Sequence, residues 1–105
     1  MAHLPNWPAL PQNTSGIPWS ANVHNAYKLL ENIVVHASQL ASHRESDELQ
    51  LSYYIDEVTS RALPTLEALE ASDEQLPSLW LHDCAEHLGA LIVALRSTRD
   101  RSKKQ

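Results

Sequence analysis

Residues 19–42 read WSANVHNAYKLLENIVVHASQLAS, and this stretch decides the fold. Val23, Ala26, Tyr27, Leu30, Ile33, Val34, Ala37, Leu40 and Ala41 recur at spacings of three and four, so a helix gathers them into one apolar stripe. Asn22, Lys28, Glu31, Asn32 and Gln39 fall on its other faces, and Ser20 stands where an N-cap belongs.

The same period recurs twice further along the chain. A second helix is expected over about 46–71, with Leu51, Tyr54, Ile55, Val58, Ala62, Leu66 and Leu69 as its core stripe. It is expected to start either at a capping box, Ser42-His43-Arg44-Glu45, or at Ser46 with Asp47 and Glu48 in its first turn. Pro64 lies inside the pattern, removes the bond to the Ser60 carbonyl, and is expected to kink the helix without ending it. A third helix is expected over about 74–96, entered through Ser72-Asp73-Glu74-Gln75 or with Pro77 in its first turn. Its stripe is Leu81, Cys84, Ala85, Leu88, Leu91, Ile92 and Leu95. Gly89 lies off that stripe, which fits either a close helix contact or a tolerated surface position. Beyond Arg96 the apolar pattern stops, so the helix is expected to fray there. Three helices of similar length with short connections make the expected fold all-α: an antiparallel, up-down-up three-helix bundle over 19–96.

Ahead of it, residues 1–18 read MAHLPNWPALPQNTSGIP, with Pro5, Pro8, Pro11 and Pro18. Proline at this density denies the backbone hydrogen-bond donors and the α conformation of the preceding residue. Leu4, Trp7, Leu10 and Ile17 nonetheless bring apolar surface that a freely disordered tail rarely carries. An extended Pro/Trp-rich arm packed on the bundle is expected.

With 105 residues, two glycines and no phenylalanine, the chain suits one helical core rather than two domains. Up to Leu95 there are three basic residues against twelve acids, whereas the last ten, RSTRDRSKKQ, carry five basic residues and one acid. An acidic body repels phosphate backbones, so nucleic acid is expected to be touched, if at all, through the basic tail 97–105 and the arginine before it: Arg96, Arg99, Arg101, Lys103 and Lys104. The lone Cys84 rules out an intrachain disulfide and fits a reducing compartment. The longest apolar run, Ala90–Leu95, falls far short of the ~20 residues of a membrane span. With no signal-peptide pattern either, a soluble intracellular protein, cytoplasmic or nuclear, is expected.

Little in the chain points to catalysis. It holds no Gly-x-Ser-x-Gly elbow, Walker loop or dinucleotide-binding glycine pattern, so no enzyme activity and no cofactor are expected. The densest polar cluster, His82-Asp83-Cys84-Ala85-Glu86-His87, makes His82, Cys84 and His87 candidate metal ligands at helical spacing. Against that, Cys84 lies on the core stripe, and half-burial beside Trp80 accounts for His87. The more informative residues are apolar ones that miss the stripes. Leu49, Tyr53 and Leu63 fall opposite the second helix's core face, Leu79 and Val93 opposite the third's, and Leu29 and Val35 to the side of or outside the first's. Together with Trp7 and Trp19 of the arm, Leu49, Tyr53 and Leu63 form the expected interaction surface. The expected function is a non-enzymatic helical module for binding a protein partner or a second copy. Its rivals are an accessory N-terminal domain of a larger nucleic-acid-acting protein and a metal- or small-ligand-binding bundle.

Overall fold

The computed structural model describes residues 7–43 and 47–103, which form helices and no strand. They comprise α1 (Ala21–Ser42), α2 (Glu48–Glu57), a single π-helical turn (Val58–Ala62), α3 (Leu63–Ala71) and α4 (Ser78–Lys103). Since α2, the π turn and α3 follow without a break, three helical rods pack together.

Each boundary follows from local hydrogen bonding. Ser20 caps α1 as read, its hydroxyl accepting from the Val23 amide at 3.4 Å. Both readings of the next start need correcting. Ser42 ends α1, where its hydroxyl donates to the Ser38 carbonyl, and Asp47 caps α2 by accepting from the Leu49 amide at 3.0 Å. Ser46, with Arg44 and Glu45, lies outside the described residues. The box at Ser72 is likewise overturned: Ser72 closes α3, its amide and hydroxyl both donating to the Leu69 carbonyl. A serine side chain serves the orphan carbonyls of one helix end as readily as the orphan amides of another. The helix α4 then starts at Ser78, four residues after the expected position, with the Pro77 carbonyl receiving the Leu81 amide.

At its other end α4 does not fray after Arg96 but runs to Lys103. The reason is tertiary. Thr98 is buried and its hydroxyl donates to the Ala41 carbonyl, one of the last in α1, at 2.9 Å. Arg99 reaches Ser52 on α2, and Arg101 donates to the Thr98 hydroxyl. The expected basic tail is therefore helical through Lys103 and pinned to its neighbours at Thr98 and Arg99; Lys104 lies outside the described residues.

The π turn explains how Pro64 is accommodated. Leu63 donates to the Val58 carbonyl, five residues back, so the ladder has already left α register when the proline arrives. Threonine hydroxyls take up nearby carbonyls, Thr59 at Ile55 and Thr65 at Arg61. The widened turn consumes one extra residue, which sets everything beyond it back by one residue's step, roughly 100°. Leu63, expected on the outer face by α periodicity, thereby comes round to pack against the core.

That core holds Leu30, Ile33 and Val34 of α1, Leu51, Ile55, Val58, Leu66 and Leu69 of the middle rod, and Trp80, Cys84, Leu88, Leu91 and Leu95 of α4. Fully burying a leucine contributes about 1.5–3 kcal/mol, so this cluster carries most of the fold's driving force. Trp19 belongs to it as well, with its indole donating to the Pro11 carbonyl; it is a core residue, not part of an interaction surface. Leu29, read as lying to the side, is half-buried against the same cluster, whereas Val35, Leu79 and Val93 are exposed. Trp7 and Leu10 pack onto the cluster from residues 7–13, which have no regular structure. A turn follows, in which Asn13 accepts from Ser15 and Gly16 supplies the left-handed φ of 80°.

Gly89 has open space where a Cβ would stand, so its surface reading holds. Gly89→Ala is expected to raise stability by about 0.5–1 kcal/mol in urea unfolding, and Leu91→Ala to lower it by about 2–5 kcal/mol.

Candidate functional site

The last turns of α1 and the first of α2 diverge enough to leave an open cleft of about 700 Å³. From α1, His36, Gln39 and Leu40 line one wall, with His43 just past the helix end. From α2, Gln50, Tyr53 and Tyr54 form the other. The spacing that makes α1 amphipathic also creates this wall: His36 and Leu40, one turn apart, lie at the edge of the buried stripe rather than on it.

Its aromatic groups form a chain. His36 stacks on Tyr54 with ring centroids 6.2 Å apart and planes 13° from parallel, and Tyr53 meets Tyr54 edge-on at 5.1 Å. Nδ1 of His36 lies 2.8 Å from the Asn32 carbonyl. A carbonyl only accepts, so Nδ1 is the donor in this contact. The Tyr53 hydroxyl bonds to Glu57, whose carboxylate pushes the phenol pKa above its ordinary value. Glu57 also pairs with Arg61 at 3.0 Å, so Tyr53, Glu57 and Arg61 form a ladder along the outside of the rod and into the π turn. One turn before Tyr53, Leu49 is 79% exposed; Tyr53 is 56% exposed.

Among the described residues the seven lining side chains include neither a carboxylate nor a lysine or arginine. They offer flat surfaces for stacking and amide, imidazole and phenol groups for hydrogen bonding. Such a wall suits an uncharged stretch of polypeptide, whose carbonyls and amides need partners while its side chains pack on the rings.

Of the five residues read as an interaction surface, the structure keeps Leu49 and Tyr53 together on an exposed face and takes the others elsewhere. Trp19 is in the core, Leu63 is half-buried, and Trp7 lies against α4. Tyr54 and Leu40, core residues by periodicity, also line the cleft, and His36 joins them from the edge of α1. The signal available was the pairing of His36 with Leu40 on one edge of α1, which only becomes meaningful once the neighbouring rod is placed.

The candidate metal ligands are not brought together. His82 is exposed with its Nε2 3.0 Å from the Glu86 carboxylate, while Cys84 is fully buried and His87 sits beneath the Trp7 ring. Among the described residues no group of three or more His, Cys, Asp or Glu is placed to hold a metal ion. Burial, helped by neighbouring Asp83, pushes the Cys84 thiol up to about 12. Among the described residues no helix is long and apolar enough to cross a membrane.

Compared with models of protein families, with curated proteins and with solved structures, the chain matches none.

The Cys84 environment makes a direct prediction. Against an ordinary thiol, the raised pKa leaves roughly a thousandfold less thiolate near neutral pH. Cys84 should resist a maleimide or an aromatic disulfide reagent in buffer at about pH 8 and react fully once the chain is denatured.

Proposed function

We propose that this chain is a non-enzymatic helical module that binds a protein partner through the cleft between α1 and α2. The observation that carries the reading is the exposure of Tyr53 on the wall of an aromatic cleft of about 700 Å³, with Leu49 exposed one turn before it. Large apolar side chains left in water beside a concave wall are the usual mark of a docking face. The occupant is a peptide segment of the partner, laid with its apolar side chains on Tyr53 and Tyr54 and its backbone within reach of Gln39 and Gln50. A second copy of this chain is included among such partners.

The same proposal takes the rods as an up-down-up bundle. It draws support from Tyr27 lying against Trp80 near the start of α1 and α4, and from Ala41 accepting from Thr98 near their ends. It takes the N-terminal segment as an arm strapped along the bundle, supported by the Trp7, Leu10 and Trp19 contacts. A soluble intracellular setting agrees with the buried, unpaired thiol of Cys84. The basic end supports a nucleic-acid role less well, because Arg99 and Arg101 already serve Ser52 and Thr98.

A photoreactive benzoyl-phenylalanine placed at Tyr53 in the native cell is expected to give a discrete crosslinked protein product, and the same group at Val93 to give none. The product's mass separates a second copy from another protein. Adding Leu49→Asp should abolish the product while leaving stability within ~0.5 kcal/mol, since Leu49 is exposed. No product at Tyr53, or an equal one at Val93, overturns the reading.

A further inference from the structure

Trp7 and His87 make a contact that the docking face does not involve. His87 is only 4% exposed, on the side of α4 beside Trp80 and Cys84. The Trp7 ring covers it at 5.2 Å between centroids, with the planes 84° apart. Both His87 Nε2 and Trp7 Nε1 are buried without a hydrogen-bond partner among the described residues. Most buried polar atoms are satisfied, so two orphans meeting at one contact are unusual.

We propose that Trp7 and His87 form a proton-operated latch, in which neutral His87 holds the N-terminal segment on α4 and protonated His87 releases Trp7. A neutral imidazole tolerates an apolar lid. An imidazolium carries a donor on both nitrogens and a full charge, and beneath Trp7 the Nε2 proton has nothing to receive it.

Among the described residues no anion offsets the burial of His87. On α4, Asp83 is exposed and acts on Cys84. On α1, Glu31 acts on Tyr27. On the middle rod, Glu57 is engaged by Tyr53 and Arg61. From Trp7 to Trp19 the covering segment has no ionisable side chain at all. Attraction of the imidazolium for an indole works against release, but burial sets the direction and holds the His87 pKa below its ordinary value.

The covering segment, not α4, is the part that moves. Residues 7–13 have no helix or strand ladder, whereas His87 lies in the middle of a 26-residue helix. The core residue Trp19 pins the segment at Pro11, so release runs from Trp7 back toward that anchor. The sign follows from the depressed pKa: the latch is fully closed above the ordinary histidine value of 6.5 and opens as pH falls through the lowered one.

The test follows the three indole N–H signals of the full chain by NMR from about pH 7.5 to about pH 5, with Trp7 assigned through Trp7→Phe and His87 through its own labelled imidazole. The Trp7 signal is expected to move to the position of an exposed indole, with the same midpoint as His87 and below 6.5, while Trp19 and Trp80 hold. In His87→Phe, the Trp7 signal should stay in place throughout. If that variant fails to fold, the coincidence of the two midpoints in the native chain, unchanged by His24→Gln, decides. A Trp7 signal that ignores His87 titration, that moves equally in His87→Phe, or that moves only with all three indoles together overturns the proposal.

Discussion

The stripe of α4 running from Trp80 through Cys84, Leu88, Leu91 and Leu95 to Thr98 is the surface against which α1, the middle rod and the N-terminal segment all pack. Removing that stripe from water is the constraint the rest obeys. It sets where α4 ends, because Thr98 stays buried and bonded to Ala41 well past the last leucine. It explains the free cysteine, a small apolar filler in a tightly packed row. It also calls for a cover beside Trp80 and His87, which Trp7 and Leu10 supply.

Helix number and core stripes were legible in the sequence because they depend on local periodicity. Val23, Leu30, Ile33, Val34 and Ala37 could be assigned from residues 19–42 alone, and all are buried. What failed depended on partners distant in sequence. Ser72 resembles an N-cap until the Leu69 carbonyl behind it is seen to be the nearer need. The last turns of α4 look like a solvated tail until Ala41 and Ser52 are placed beside them. Leu63 falls outside by α counting, and only the π turn brings it in.

The candidate site was half legible for the same reason. Leu49 and Tyr53 announced themselves as apolar residues on the wrong side of a helix, a property of one segment. The cleft belongs to two. His36, Gln39 and Leu40 are unremarkable on α1, and Tyr54 reads as core until its ring is seen between His36 and Tyr53. Trp7 and Trp19 show the converse. Tryptophans in a proline-rich stretch read as a sticky surface, yet one fills the interior and the other caps it.

The turn at Val58–Ala62 changes the phase of the middle rod. A regular helix is a clock that points each side chain a fixed step beyond the last, so a rod of 24 residues shows its neighbours one face throughout. Dropping a single tick partway along divides the rod into two clocks on one shaft. Upstream, Leu49 and Tyr53 face the solvent; downstream, Leu63 faces the interior, although strict counting puts all three on one side. The two halves of the rod thereby become separable objects for selection. Substitutions that reshape the outward face before the slip need not disturb the packing after it.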